Sequence, residues 1–409
     1  MAKKPQKIGL WLVGACGGVG STVALGLAAF SKRRHSVTGL VTELAPFREL
    51  PLVAPANIVL GGHEIREETF ISALGNLRRR SGLFDADLIR ECTPVLRAAQ
   101  HEIRPGTLLG CGKVVREMAD RTGITRDRSA AQSVERLASD IIAFRKRSRV
   151  ETCIVVHLAS SEPPAPRTAN LSDWSKLEKL LAKPGTELLP ASSLYALAAI
   201  QAGCAFINFT PSTGIRIPAI QKRADDLGIP YMGNDGKTGE TLVKSALAPM
   251  FAMRNLEVLS WVGQNILGNR DGAVLDDPAT RQSKINSKDG LIARIVGGSP
   301  ATRVGIDYVP SLDDWKVAWD FIHFRGFLNT KMSLQFTWCG SDSILAAPLV
   351  IDLARLAALE HQQGGAGPMR YLAFFFKDPI GVSEHDLNTQ WRRLVEHLSG
   401  ETSTRVRKT

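Results

Sequence analysis

Residues 7–22 read Lys7-Ile8-Gly9-Leu10-Trp11-Leu12-Val13-Gly14-Ala15-Cys16-Gly17-Gly18-Val19-Gly20-Ser21-Thr22. An apolar run of strand length meets a cluster of glycines, and small residues then open a helix expected over 21–30. A glycine turn between strand and helix lets backbone amides approach a pyrophosphate, and the helix N-terminus favours its negative charge. The spacing departs from a strict G-x-G-x-x-G because Cys16 takes the second glycine's place, yet Gly14, Gly17 and Gly20 recur every third residue with Gly18 added. Gly14, Cys16, Gly17, Gly18, Val19 and Gly20 are therefore candidate cofactor-binding residues. A second strand is expected near 36–41, and Glu43 lies beyond it, where a carboxylate would hydrogen-bond an adenosine ribose and select NAD over NADP. A surface carboxylate in a loop is the other reading of Glu43.

Outward from this unit, residues 63–150 look helical and polar and are expected to cap a sheet. A buried strand is expected at 152–158, followed by the polar turn 159–164, a helix at 193–202 and a strand at 205–208. Strands alternating with helices predict a parallel α/β sheet. After Asp235 the texture changes to a helix at 239–251, strand-like runs at 256–262 and 330–338, and turns rich in Gly, Asp and Asn, which predicts a second, α+β domain. A helix at 345–359 and a strand at 370–376 resemble the first region again. The expected division is 1–235 completed by 345–409, with 236–344 inserted.

The 409 residues, 44% hydrophobic and 22% charged, exceed one small core and suit two globular domains. The 36 glycines follow no collagen period, and no apolar run is long enough to span a membrane. The basic, apolar start imitates a signal peptide, but the glycines that follow suit a cofactor turn better than a cleavage site. Six cysteines without CxxC pairing are expected to be free buried thiols of a cytoplasmic protein. The net charge of +11 is concentrated partly at the termini and in Arg78-Arg79-Arg80, without any nucleic-acid-binding motif, so a small phosphorylated ligand explains it better than nucleic acid.

Lysines gather where a phosphate or an oxyanion could be held. Lys237, Lys244, Lys284, Lys288 and Lys316 lie in stretches dense in Gly, Asp and Asn, together with Asp235 and Asp271. Ser283-Lys284 and Ser287-Lys288 are one helical turn apart and would share a face if helical. Lys377 follows three phenylalanines at the expected end of a strand, the edge at which α/β proteins bind ligands. Asn208 to Ser212 end another strand and form either a cofactor contact or a polar turn. The histidines show no HxH or HExxH spacing, His157 reads as a satisfied core residue, no nucleophile elbow is present, and no metal ligand set is assigned.

These residues resemble the myo-inositol-1-phosphate synthase family, in particular its compact archaeal and bacterial branch. The likeness rests on the glycine loop, Asn208 to Ser212, Gly233-Asn234-Asp235-Gly236-Lys237-Thr238-Gly239-Glu240-Thr241, Asn265-Ile266-Leu267-Gly268-Asn269-Arg270-Asp271-Gly272, Ser283-Lys284 with Ser287-Lys288, Asp314-Trp315-Lys316, Asp342-Ser343 and Phe375-Phe376-Lys377. It covers most of the chain, and only loosely 63–150. The resemblance implies a Rossmann-like doubly wound parallel sheet with an inserted α+β catalytic and oligomerisation domain, and a homotetramer. It implies an isomerase that converts glucose 6-phosphate to inositol phosphate with NAD, by oxidation at carbon 5, enolisation, aldol closure and re-reduction. It further implies Lys284, Lys288, Lys316, Lys377, Asp235 and Asp271 as catalytic residues, with Asn208, Lys237 and Asn265 joining these lysines around the substrate and Ser161 and Asp235 beside NAD. A cation is implied as well, divalent in some members and ammonium or potassium in others. Two further classes stay open on the residues alone: a dehydrogenase of another phosphorylated sugar with net NAD turnover, and a non-catalytic NAD-binding protein.

Overall fold

The computed structural model describes residues 6–33, 36–124, 127–163, 171–185, 187–269, 272 and 291–400. β1 (Ile8–Val13) is buried along its whole length, as a central parallel strand must be, and leads through the glycine turn into α1 (Gly18–Ser31). There follow β2 (Ile58–Glu64), α2 (Phe70–Ser81), α3 (Ala86–Gln100), β3 (Ile103–Pro105), α4 (Lys113–Glu117), α5 (Ala130–Ser148) and β4 (Cys153–His157). Next come α6 (Trp174–Leu181), α7 (Ala191–Gln201), β5 (Ala205–Asn208), α8 (Pro218–Asp226) and β6 (Pro230–Gly233). Local chemistry sets several boundaries: Thr69 and Ser72 form a reciprocal capping box at the start of α2, and Gly82, at φ 68°, ends it in the left-handed conformation.

The second lobe opens with α9 (Gly239–Met253) and β7 (Glu257–Leu267), and continues with α10 (Leu291–Val296), β8 (Ala301–Tyr308), β9 (Trp315–Arg325) and β10 (Lys331–Ser341). The chain then returns as α11 (Asp342–Gln362), β11 (Gly367–Pro368) and α12 (Leu387–Leu398). The first sheet has seven strands in the order β11-β6-β5-β4-β1-β2-β3, every pair parallel. The order reverses between β1 and β4, and that switch point is where an open α/β sheet forms its ligand crevice. The second sheet, β10-β9-β7-β8, is mixed: β7 pairs parallel with β8, and the other pairs are antiparallel. The fold is thus α/β, a Rossmann-like parallel sheet with a separate four-stranded sheet.

Helix α1 is apolar nearly all round because α2, α3 and α11 pack around it. The second lobe has its own core of Ala248, Phe251, Val258, Trp261, Ile292 and Ile322. All six cysteines are free, and Cys339 alone is exposed. No helix among the described residues is long and apolar enough to cross a membrane.

Two expected strands are absent. Residues 36–41 form a turn and the start of a single 3-10 turn: Leu40 N donates to Val37 O, and Asp352 of α11 takes the amides of Val41 and Thr42 and the Thr42 hydroxyl, so these donors are not available to a ladder. The strand beside β1 is β2, whose Gly61 is required because a Cβ there would lie 2.8 Å from the Trp11 ring. Residues 370–376 likewise form 3-10 turns over Arg370–Phe375, with bonds from Leu372 N to Met369 O and from Phe376 N to Ala373 O. Within 63–150 the helices predominate as expected, but α3 lies along α1 while α5 lies beside α7, so this segment serves two neighbours rather than capping a single face.

Candidate active site

A cavity of about 440 Å³ opens at the carboxyl edge of the first sheet and is walled by both lobes. Gly14 leaves β1 at φ 79°, a conformation glycine adopts without strain, and its amide donates to His63 O. Gly17 then caps α1, so the first amides of that helix face the cavity. A Cβ at Gly18 would fall 2.6 Å from the Ser343 hydroxyl, and one at Gly20 would strike the Ala15 carbonyl. A Cβ at Gly17 meets only Gly14 O, at 3.2 Å. The loop is therefore packed against protein at Gly18 and Gly20 and open at Gly17, a cradle that fits a pyrophosphate.

Glu64 ends β2 beside this loop. Its carboxylate accepts the Cys16 amide at 2.9 Å and the Ile65 amide at 2.9 Å, and Arg66 pairs with it at 3.2 Å. Burial, reinforced by Glu64, pushes the Cys16 thiol up to about 12, which leaves it a neutral lining group.

Across the cavity, two stretches far apart in sequence run side by side. Gly236 bridges Phe376, Lys237 N donates to Phe375 O at 2.8 Å, and Lys377 N donates to Asp235 O at 2.7 Å. This ladder brings Lys377 Nζ to 2.8 Å from Asp235 Oδ1, with both side chains buried. Asp235 Oδ2 is buried without a hydrogen-bond partner among the described residues. Lys316, at the start of β9, is buried in the same wall. Beside it Asp314 accepts the Ser341 hydroxyl at 2.5 Å, the Ser343 hydroxyl at 2.6 Å and the Ser343 amide, fixing the first turn of α11 against the glycine loop. The floor carries His157, Ser161 and Glu162. Glu162 accepts the Ser192 amide at 2.9 Å and the Ser192 hydroxyl at 2.5 Å, and burial pushes its carboxyl up to about 7.

The cavity thus gathers Gly14, Cys16, Gly17, Gly18, Val19, Gly20, Ser161, Asp235, Lys316 and Lys377 from the residues singled out in the sequence. Five others stand outside its lining, among them Lys244, which pairs with Glu240 at 2.5 Å and Asp320 at 3.1 Å. Glu43 pairs with Arg355 of α11 at 2.7 Å, and the acidic residue at the carboxyl end of β2 is Glu64. Asn208 shapes the turn after β5, donating to Ser212 O at 2.6 Å and accepting from the Thr210 amide and hydroxyl. Asn265 donates to Glu240 at 2.6 Å within the second lobe. Lys237 turns away to Gln390 of α12, where burial lowers its pKa to about 7. Lys284, Lys288 and Asp271 lie outside the described residues. Neither Glu64 nor His157 belongs to a motif, and the one signal in the sequence for each is a polar residue that ends an apolar strand.

A family model described as myo-inositol-1-phosphate synthase matches residues 8–398. The chain belongs to the myo-inositol-1-phosphate synthase family. Among its relatives, an inositol-3-phosphate synthase of Bacteroides thetaiotaomicron is 32% identical over 96% of this chain and 95% of its own length. One from Spirodela polyrhiza is 30% identical over 86% of this chain and 74% of its own. The fold matches that of the inositol-3-phosphate synthase of Caenorhabditis elegans, with a TM-score of 0.84 at 24% identity, covering 97% of this chain and 86% of that one. In this family member, the matching stretches around Asp235, Lys316, Ser343 and Lys377 converge on the glycine loop.

Proposed function

We propose that this protein converts D-glucose 6-phosphate to an inositol phosphate as an NAD-dependent inositol-3-phosphate synthase. The observation that carries the reading is one cavity in which the Lys377–Asp235 pair and Lys316 face an open glycine cradle. A cofactor with a pyrophosphate fits that cradle: Gly17 and Gly18 would hold the pyrophosphate and Glu64 the adenosine ribose. When bound, NAD supplies the oxidation at carbon 5 of the sugar and its later reversal, so no net redox change results.

The protein's own groups serve the steps between. Lys316 and Lys377 stabilise the oxyanions that develop during enolisation and aldol closure, and a buried, water-poor wall strengthens them. Asp235 holds Lys377 in place through Oδ1 and offers Oδ2 to a substrate hydroxyl. A lysine next to a carboxylate suits proton transfer at the carbon-5 hydroxyl and at the neighbouring carbon. Lys284, Lys288 and Asp271 join the same proposal on their motifs, with Asp271 near the substrate, the nicotinamide or a divalent or monovalent cation.

The reading also divides the chain into a cofactor domain of 1–235 with 345–409 and a catalytic and oligomerisation domain of 236–344. It makes the enzyme a cytoplasmic homotetramer. The second sheet supports assembly, because the face opposite α9 presents Trp319 and Phe321 stacked at 6.4 Å, with Trp319 41% exposed.

Incubating the purified protein with glucose 6-phosphate and catalytic NAD tests the function, with product followed by phosphorus NMR and the nicotinamide by absorbance. Inositol phosphate without accumulating NADH is expected. Accumulating NADH would replace the isomerase with a dehydrogenase, and the absence of any product would reject the substrate.

A further inference from the structure

His157 ends β4 at the switch point, in register with Val13 of β1, and is wholly buried in the floor of the cavity. Its ring nitrogens are in different situations. Nδ1 lies 3.3 Å from the Thr210 hydroxyl, and Nε2 has no hydrogen-bond partner among the described residues. Tyr195, whose ring centroid is 5.9 Å away, uses its hydroxyl to accept the Thr107 amide at 2.9 Å.

Surrounding bonds decide which nitrogen carries the hydrogen. The amide nitrogen of Asn208 donates to Ser212 O at 2.6 Å, so the other atom of that amide is the oxygen, and it takes the Thr210 amide and hydroxyl at 3.1 and 2.8 Å. An amide oxygen only accepts, so the Thr210 hydroxyl spends its single hydrogen there. The same hydroxyl oxygen accepts from the Ser212 amide at 3.2 Å and has a lone pair left for His157. Nδ1 is therefore the protonated nitrogen, and Nε2 presents a bare lone pair. Burial lowers the ring's pKa to about 3, so the imidazole stays neutral and acts as an acceptor rather than as a base. A buried acceptor left unpaired in the cavity wall is unfavourable, and a ligand lacking a donor at that point leaves it so.

We propose that His157 Nε2 accepts a hydrogen bond from a neutral donor of the bound ligand, either a carboxamide N–H of the dinucleotide or an O–H of the sugar phosphate, and thereby selects ligands that carry it. The proposal rests on the NAD and glucose 6-phosphate reading above.

Two arms of one binding experiment separate the sources, using the full chain and its His157→Leu and His157→Gln variants. The first compares NAD with its 3-acetylpyridine analogue, in which a methyl group replaces the amide NH2. The second compares glucose 6-phosphate with its singly deoxygenated analogues. In one arm the wild type is expected to favour the donor-bearing ligand by about tenfold or more. His157→Leu removes the preference, and His157→Gln, which offers an amide oxygen, restores part of it. An equal preference in wild type and His157→Leu in both arms overturns the proposal. Should the leucine variant fail to fold, nitrogen NMR of the wild-type imidazole decides: a proton on Nε2 in the ligand-bound protein overturns it, and an unprotonated Nε2 whose resonance moves on ligand addition supports it. A wild type that binds neither NAD nor glucose 6-phosphate sinks the functional reading and this proposal together, whereas a wild type that turns over with unchanged discrimination in the variants sinks this proposal alone.

Discussion

Lys377 Nζ and Asp235 Oδ1 lie 2.8 Å apart across 142 residues of sequence, held by paired backbone rather than by side-chain reach alone. The backbone bond from Lys377 N to Asp235 O fixes the two main chains side by side, so each side chain starts within reach of the other. Replacing Lys377 or Lys316 with alanine is expected to lower turnover by about a hundredfold or more, the scale for losing an oxyanion stabiliser, while NAD affinity changes little. Turnover by product NMR and NAD titration by fluorescence, made on the same preparations, check this. Near-wild-type turnover in both variants refutes the lysine roles.

The glycine loop makes a paired prediction. Gly17→Val adds its side chain on the open side of the cradle, so NAD binding should be lost with little change in melting temperature. Gly20→Val drives atoms into the Ala15 carbonyl, so both binding and thermal stability should fall. Equal melting temperatures for the two variants contradict the packing described.

Glu64 and Glu43 are distinguished in the same way. Glu64→Ala removes the carboxylate at the end of β2 and should weaken NAD binding by about tenfold or more. Glu43→Ala breaks an ion pair with Arg355 and should leave NAD affinity within about twofold. The reverse ranking, measured by calorimetry, returns the ribose role to Glu43.

Much of the first lobe is legible in the sequence because its strands β1, β4 and β5 are uninterrupted apolar runs, fully buried between helices. β2 is hidden by Gly61 and Gly62, which weaken strand propensity and are there because Trp11, Phe144 and Leu12 crowd them. With a strand expected at 36–41, Glu43 falls just past a strand end; with β2 beside β1 instead, the carboxylate in that place is Glu64. Arg370–Phe375 has a strand's aromatic composition, but Phe374 packs on Trp391 of α12, a tertiary contact that no local pattern reveals. Lys377 stands out by its place after three phenylalanines and Lys316 by its Gly-, Asp- and Asn-rich setting, but neither signal separates them from Lys237, since all three are buried and only the backbone decides which face each takes.

Glu162 gives the fold a pH dependence. Its folded pKa is raised to about 7, so between the ordinary glutamate range and about 7 the folded state holds a proton that the unfolded state releases. Stability from this group is present at the acid end of that window and is lost as pH rises through it. Glu162→Gln should therefore flatten the fall in melting temperature between about pH 5 and pH 8. A parallel fall in both proteins assigns the effect elsewhere.

The second sheet gives the last prediction. Placing lysine at Trp319, 41% exposed on the uncovered face, should shift the assembly toward smaller species in light scattering while the fold and NAD binding persist. An unchanged mass removes this face from the interface.

The packing of α11 along α1 orders events during synthesis. Val23, Leu25 and Leu27 are buried in the finished protein, yet the helix that packs along α1 spans Asp342–Gln362. A nascent chain emerging N-terminus first can cover α1 with α2 and α3 early, but the side that α11 packs on waits through the translation of some three hundred intervening residues, counted roughly from α1 to α11. The lobe made first is finished last, and the cavity wall that Lys377 shares with Asp235 and Lys316 is complete only once that lysine has left the ribosome.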